Sequence, residues 1–228
     1  MLSKIKKYRH GFVIIAYFIV YLILFNYLEY RPVRAYHVVH TVFDDMIPFC
    51  EVFIIPYLLW FPYVILTVVY FLFRQNKREY YQLIFNLMMG MTVFLVVSYV
   101  YPNVQQLRPA VFPRNNIFTQ LIAGIYRTDT PTNILPSIHV FNSLAVYFAI
   151  HNCQTLKDKK WLQGGSLILS SLIILSTMFI KQHSVIDVCL GTTLALFGHL
   201  LFYPQRTEDY EDQRSVAHMR GKKTEQNL

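Results

Sequence analysis

The chain has 228 residues, of which 54% are hydrophobic and 16% aromatic, and its mean hydropathy is +0.34. This composition excludes an intrinsically disordered chain and is too apolar for an ordinary soluble globular domain. The formal net charge of +8 fits either a nucleic-acid-binding protein or the charge bias of membrane-protein loops, and the positions of the basic residues decide between the two.

Six apolar stretches, each near the length of a membrane-spanning helix, occupy most of the chain. Short polar or proline-containing segments separate them, and the stretches cover residues 11–28, 52–73, 80–101, 138–151, 166–180 and 185–203. Because no small-residue cleavage site follows the first stretch, we expect a retained anchor and not a signal peptide. The sequence therefore predicts an all-α integral membrane protein with six transmembrane helices in one bundle.

The basic residues alternate between the two sides of this predicted bundle. With the N-terminus inside, the outer segments contain only six of the 21 basic residues, namely Arg31, Arg34, Arg108, Arg114, Arg127 and Lys181. By the positive-inside rule, both termini are cytoplasmic, and the net charge reflects topology and not a nucleic-acid partner. The predicted domains are a basic cytoplasmic N-terminus (1–10), a membrane domain (11–203) and a polar cytoplasmic tail (204–228).

Polar residues collect at the outer ends of the predicted helices. His183 and Asp187 are four residues apart, so they share one face of a helix that begins near His183. A carboxylate in this position could orient the imidazole as a nucleophile or a base. The alternative interpretation is a polar pair that caps a helix at the membrane surface.

A second polar segment, PSIH at residues 136–139, has the form of a helix start with Ser137 as the N-cap. The free backbone amides and positive dipole end of such a helix suit an anion such as phosphate, which His139 in the first turn would face. An ordinary capped helix with an interfacial histidine explains the same residues. In an outer loop, Arg108 precedes Pro109, and its planar guanidinium group can donate two parallel hydrogen bonds to phosphate oxygens.

Together these residues place two histidines, a carboxylate and two cations on one side of the membrane, a combination that favours phosphoryl transfer. Three acidic residues, Asp44, Asp45 and Glu51, also lie on this outer side. We interpret the two aspartates as part of a solvated turn, with contacts to a headgroup or a cation as the alternative. Glu51 is nearer to the membrane and is harder to assign to solvent.

The polar segments resemble the three motifs of the type-2 phosphatidic acid phosphatase superfamily in order and spacing. The family motifs are Lys-x6-Arg-Pro, Pro-Ser-Gly-His and Ser-Arg-x5-His-x3-Asp, and the chain has YPNVQQLRP (101–109), PSIH (136–139) and STMFIKQHSVID (176–187). The resemblance covers about residues 80–200. Tyr101, Ile138 and Thr177 stand where the family has Lys, Gly and Arg, so two of its phosphate-binding cations are missing.

The resemblance implies a metal-independent phosphatase without a cofactor. His183 would attack phosphorus to form a phosphohistidine, Asp187 would orient its ring, and His139 would protonate the leaving group and then activate water. The predicted phosphate-binding residues are Arg108, Ser137, Lys181 and Tyr101, of which the last two would compensate for the missing cations.

The resemblance also implies that the substrate is a lipid phosphate or diphosphate, acted on at the extracytoplasmic face of a bacterial plasma membrane or in the lumen of a eukaryotic organelle. Several alternatives stay open. A headgroup phosphotransferase, similar to sphingomyelin or inositol phosphorylceramide synthases, would share the first half-reaction. A non-catalytic relative, a small transporter, or a metal site built from His139, His183 and Asp187 would use the same residues differently.

Overall fold

A computed structural model describes residues 11–74 and 76–204, which form eight α-helices. These are α1 Gly11–Tyr30, α2 Val42–Met46, α3 Ile54–Phe73, α4 Lys77–Val100, α5 Ile117–Thr128, α6 Ile138–Asn152, α7 Lys160–Phe179 and α8 Val185–Phe202. A 3₁₀ turn, Glu51–Phe53, precedes α3, and two short strands, β1 His37–Val38 and β2 Asn103–Val104, pair in parallel.

Six of these helices, namely α1, α3, α4, α6, α7 and α8, lie where the six apolar stretches predict them. Within the described ranges, five are long and apolar enough to cross a membrane, and α6 with 15 residues is the exception. At 1.5 Å per residue, α6 is about 22 Å long, whereas the hydrocarbon core of a bilayer is about 30 Å thick. The helical class is confirmed, and a sixth membrane crossing stays a prediction.

The orientation of the termini also stays a prediction. Part of the charge pattern behind it falls on residues 1–10 and 205–228, which lie outside the described residues.

The short helix α6 lies at the centre of the bundle and packs against α3, α4, α7 and α8. Glycines allow the close approach of its neighbours. A Cβ atom at Gly90 of α4 would lie 2.0 Å from Cε1 of Phe141, and one at Gly191 of α8 would lie 2.7 Å from the carbonyl oxygen of Ser137. The start of α8 is therefore held directly beside the start of α6, and the two polar motifs on these helices meet.

The buried side chain of Asn103 organises the loop that leads into α6. Its Oδ1 accepts hydrogen bonds from the N–H groups of Ile134 (2.7 Å) and Leu135 (3.1 Å). Its backbone oxygen accepts another from Asn133, and the β1–β2 ladder pairs Asn103 with His37. The end of α4 thus fixes the path of the chain just before the α6 N-terminus.

Two short helices were not predicted. Helix α5 begins with a capping box in which Asn116 and Thr119 exchange hydrogen bonds, and it buries Ile122 near Ile54 and Ile180. Helix α2 begins with a similar box between Thr41 and Asp44. Both belong to the outer connections predicted from the charge pattern, so the outer ends of the long helices are covered by ordered structure.

Candidate active site

His183, Asp187 and His139 form a continuous chain of side-chain contacts. His183 Nδ1 is 2.5 Å from Asp187 Oδ2, and His183 Nε2 is 3.2 Å from His139 Nδ1. Asp187 is completely buried and His183 nearly so, and the two lie on one face as their spacing predicts. A carboxylate bound to one ring nitrogen fixes the tautomer of the imidazole and leaves the other nitrogen for chemistry.

The tight turn between α7 and α8 positions His183. The carbonyl oxygen of Thr177 accepts hydrogen bonds from the N–H groups of both Gln182 and His183. Lys181 has a φ of 57°, in the left-handed region, so the chain reverses direction within a few residues. Ser184 then caps α8, which begins one residue later and close to the predicted start.

Asp44 holds this turn from a distant part of the chain. Its Oδ2 accepts a hydrogen bond from Ser184 Oγ (2.7 Å), and its Oδ1 accepts one from the N–H group of Val185 (2.8 Å). The interpretation of a solvated turn is wrong for Asp44, which is only 2% exposed, because its carboxylate satisfies free donors at the positive end of α8. Asp45 is exposed and contacts His40.

The ammonium group of Lys181 contacts backbone oxygens in this structure. Its Nζ donates to the carbonyl groups of Asp44 (2.7 Å) and Ile47 (2.5 Å), which ties the segment after α2 to the α7–α8 turn. Desolvation lowers the pKa of Lys181, and the charges of Asp44 and Asp45 partly offset this effect. A role of Lys181 in phosphate binding stays a prediction, and it requires the side chain to leave these carbonyl groups.

Arg108 does not contact the histidine pair directly, but it contacts Gln182, the residue that precedes His183. Its Nη2 donates to Gln182 Oε1 (2.5 Å) and to the carbonyl oxygen of Asp129 (2.7 Å), and its Nη1 donates to the carbonyl oxygen of Tyr126 (3.1 Å). The guanidinium carbon lies 4.4 Å from the centre of the Tyr126 ring. Arg108 therefore has protein acceptors on both terminal nitrogens, and its binding of phosphate stays a prediction.

Ser137 is the N-cap of α6, as the sequence predicts, and its Oγ accepts a hydrogen bond from the N–H group of Val140. Its own N–H group donates to the carbonyl oxygen of Asp187 (3.2 Å), which joins the starts of α6 and α8. Tyr101 is placed differently. It lies at the end of α4, is 44% exposed, and stacks on His37 with the ring centres 4.1 Å apart.

Two aromatic residues of α3 surround His139. The ring centre of Trp60 lies 4.3 Å from that of His139, and the ring centre of Tyr57 lies 4.8 Å from it. The side chain of Tyr57 is buried, so it contacts the site and not the membrane interface. Tyr57 and Trp60 are three residues apart and therefore lie on one face of α3, so their spacing predicts that they contact the same neighbour.

A cavity of about 40 Å³ adjoins the two histidines. Two carboxylates line it: Glu29 from α1 and Asp129 from the end of α5. In the described part of the chain, no lysine or arginine lines this cavity, although the resemblance predicted a cationic site. Neither acid was predicted as a site residue, because α1 was interpreted only as an anchor and Asp129 lies outside the three motifs.

No group of three or more histidine, cysteine, aspartate or glutamate side chains in residues 11–74 and 76–204 is arranged to hold a metal ion. Within the described chain, the geometry therefore does not support a metal site built from His139, His183 and Asp187.

The sequence model of the PAP2 superfamily matches residues 82–211. This segment contains His139, His183 and Asp187, whereas Glu29 and Asp44 lie outside it. No curated protein and no solved structure matches the chain. Members of the superfamily are phosphatase-type enzymes that in general hydrolyse phosphate esters. Because the match covers more than half of the chain and includes all three polar motifs, the protein belongs to the PAP2 superfamily.

Proposed function

We propose that the protein is an integral membrane phosphatase that hydrolyses a lipid phosphate or diphosphate ester through a phosphohistidine on His183. The observation that carries the proposal is the contact chain from Asp187 through His183 to His139, with distances of 2.5 and 3.2 Å. Membership of the superfamily supports phosphate ester hydrolysis, and the five long apolar helices are compatible with a membrane location.

In the first step, the Nε2 lone pair of His183 forms a bond to phosphorus while the bond from phosphorus to the leaving oxygen breaks. The His183 Nδ1–H group donates to Asp187, whose carboxylate stabilises the positive ring that forms during attack. His139 transfers a proton to the leaving oxygen, so an alcohol departs instead of an alkoxide. The two facing imidazole nitrogens are in direct contact at 3.2 Å, so they must move apart when the phosphoryl group enters between them.

In the second step, water attacks the phosphohistidine. His139, now without its proton, accepts one from the water as the new bond from oxygen to phosphorus forms. The bond between phosphorus and His183 Nε2 breaks, phosphate leaves, and both histidines return to their initial protonation states. His139 carries each proton that is transferred in the two steps, and the second proton of the attacking water stays on the phosphate that leaves.

The phosphoryl oxygens need hydrogen-bond donors in both steps. We assign the first contacts to the N-terminal amides of α6, because the Ser137 cap places them next to His139 and helix N-termini favour anions. Arg108 is the next candidate, if it exchanges a carbonyl partner for a phosphoryl oxygen. Lys181 and Tyr101 would have to leave Ile47 and His37 to reach the same oxygens.

We also propose that the site faces away from the cytoplasm. The histidine pair is at the α6 N-terminal end of the bundle, whereas basic residues of the chain cluster in the connections at the other end, including Arg74, Lys77 and Lys157. The positive-inside rule then supports an extracytoplasmic site, in a bacterial plasma membrane or its equivalent.

A lipid headgroup phosphotransferase is the second candidate. The aromatic rings of Tyr57 and Trp60 cover His139, and these surroundings are suited to a lipid alcohol as well as to water. The first step would be unchanged, and His139 would take its proton from the hydroxyl group of the acceptor lipid.

The test incubates the purified full-length protein with lipid phosphates and diphosphates in the presence of EDTA, and measures free phosphate and new lipid products together. We expect phosphate release that falls by about 10⁴-fold or more in His183→Ala. The matched variant His40→Ala removes an exposed histidine and should retain activity. New phospholipid without free phosphate would identify the transferase, and full turnover by folded His183→Ala would refute both candidates.

A further inference from the structure

The charge of the cavity beside the two histidines is opposite to what a phosphate monoester requires. Glu29 and Asp129 line it, whereas phosphate itself is an anion, so an unsubstituted phosphate group would enter against like charges. In proteins, carboxylates near a binding cavity are usually paired with a cation. The partners of these two acids therefore decide what the cavity can bind.

Neutral donors hold both carboxylates in this structure. Asp129 Oδ2 accepts hydrogen bonds from Tyr57 Oη (3.1 Å) and Gln182 Nε2 (3.0 Å). Glu29 accepts one from Asn133 Nδ2 (3.1 Å) and another from the Thr130 hydroxyl group. Within the described chain, neither acid has an ion-pair partner, and Arg108 contacts the backbone oxygen of Asp129 and not its carboxylate.

The side-chain oxygen of Asn133 gives independent evidence that the cavity lacks a hydrogen-bond donor. Its side chain lines the same cavity, is only 4% exposed, and has no hydrogen-bond partner for Oδ1 among residues 11–74 and 76–204. The amide orientation is defined, since Nδ2 donates to Glu29 Oε1 and to the carbonyl oxygen of Leu28. A buried acceptor without a donor is unfavourable, and a bound donor would remove this penalty.

Building on the proposed function, we propose that the substrate is a phosphate ester whose alcohol carries a primary ammonium group, and that Glu29 and Asp129 bind this group. Two carboxylates and an amide oxygen are all hydrogen-bond acceptors, and a primary ammonium group has three N–H donors. A quaternary ammonium group has no N–H donor and cannot donate to these acceptors.

The proposal also accounts for the replacements in the family motifs. Tyr101 and Thr177 stand where the superfamily has two cations that bind phosphate. If the substrate carries its own positive charge, Glu29 and Asp129 attract the ester as a whole, and fewer protein cations are needed for its phosphate group. The selectivity then arises from the ammonium group instead of from phosphate alone.

Binding to the full-length protein in detergent tests this proposal without relying on turnover. The chain has two tryptophans, so Trp161→Phe leaves Trp60, which lies 4.3 Å from His139, as a fluorescent reporter of the site. The ligands are O-phosphoethanolamine and ethyl phosphate, which share a phosphate monoester and differ in the ammonium group, together with phosphocholine. Calorimetry with the same ligands provides an independent dissociation constant.

We expect O-phosphoethanolamine to bind at least about tenfold more tightly than ethyl phosphate, which corresponds to about 1.4 kcal/mol, and more tightly than phosphocholine. Glu29→Gln and Asp129→Asn should each reduce this preference to about threefold or less, because the amides keep the shape and remove the charge. The matched variant Asp45→Asn removes an exposed acid and should keep the full preference.

Equal binding of O-phosphoethanolamine and ethyl phosphate would overturn the proposal, as would a preference that survives both amide variants or tighter binding of phosphocholine. If one amide variant fails to fold, the other still tests the point. His183→Ala should retain the preference, so a failure of catalysis is distinguishable from a failure of ammonium binding.

Competition identifies the source of the ester. Micelles that contain phosphatidylethanolamine, but not those with phosphatidylglycerol, should displace O-phosphoethanolamine if the ligand is a lipid headgroup. Binding of the free ester without such displacement indicates a soluble ester and also agrees with the proposal.

Discussion

His183 presents Nε2 to His139 at 3.2 Å, on the side of its ring opposite to Asp187. The two contacts of one imidazole therefore separate its roles, since Nδ1 is held by a buried carboxylate and Nε2 faces the second histidine. In the proposed reaction, this arrangement leaves one nitrogen available for attack on phosphorus and places a proton donor beside the leaving group. Substitutions of Asp187, His183 and His139 therefore test three different roles.

The first prediction concerns the charge of Asp187. Asp187→Asn keeps the size of the side chain but no longer stabilises the positive ring of His183 during attack, so we expect kcat to fall by about 10²–10⁴-fold. KM should change much less, because Asp187 contacts the ring nitrogen of His183 that does not attack phosphorus in the proposed reaction. Steady-state kinetics and thermal unfolding of the same preparation measure both effects. An unchanged kcat in the folded variant would contradict the assigned role.

The second prediction concerns the cap of α8. Asp44→Ala removes the acceptor of Ser184 Oγ and of the Val185 N–H group, so we expect a loss of about 1–3 kcal/mol in the free energy of unfolding. Activity should fall as well, because the cap adjoins His183. Asp45→Ala is the matched control. This neighbouring acid is exposed, and its loss should change stability by less than about 0.5 kcal/mol. Equal effects of the two variants would exclude a specific cap.

The sequence was sufficient for the long helices and for the pairing within the third motif. Apolar stretches of membrane-spanning length predict α1, α3, α4 and α8 nearly to their ends. A run of about 20 consecutive apolar residues is typical of a helix that crosses a membrane. The spacing of His183 and Asp187 predicts their contact, since residues four apart lie one turn apart. Ser137 is recognisable as an N-cap from its position after Pro136.

Contacts between distant segments could not be predicted from the same patterns. Asp44 and Ser184 are 140 residues apart, and no local rule links an acid before α3 to the start of α8. The same applies to Tyr57 beside His139 and to Glu29 beside the cavity. Helix α5 had a usable signal, because Asn116 is a favoured N-cap residue that directly precedes an apolar helical pattern.

The third prediction tests the close approach of α6 and α8. In Gly191→Ala the new Cβ atom would lie 2.7 Å from the carbonyl oxygen of Ser137, so α8 must move away from the start of α6. Such displacement separates His139 from His183, and we expect activity to fall by at least about tenfold with a loss of about 1–3 kcal/mol in stability. Phosphate release and thermal unfolding measure the two effects.

The matched control for this variant is Gly165→Ala in α7, where nothing lies within 4 Å of the added Cβ atom. Alanine there should raise helix stability by up to about 1 kcal/mol and leave activity unchanged. If Gly191→Ala behaves like Gly165→Ala, the contact between α6 and α8 does not determine the geometry of the site.

The fourth prediction is a pH dependence of the proposed ammonium preference. Burial raises the pKa of Asp129, and the charge of His183, the hydrogen bond from Tyr57 and the charge of Arg108 only partly offset this effect. Asp129 therefore takes up a proton at a higher pH than an exposed aspartate does, and the protonated form no longer attracts a cation. The preference should be complete above the pKa of Asp129 in the folded protein and should decrease as the pH falls through it.

The ratio of the dissociation constants of ethyl phosphate and O-phosphoethanolamine, measured from about pH 8 to about pH 5, checks this expectation. The second ionisation of the phosphate monoester also falls within this range, so the contribution of Asp129 is the difference between the curves of the unmodified protein and of Asp129→Asn. Asp129→Asn should flatten the part of the curve that belongs to Asp129, whereas Asp45→Asn should leave it unchanged. A preference that increases on acidification would contradict a role for the Asp129 carboxylate, since protonation can only weaken its attraction for an ammonium group.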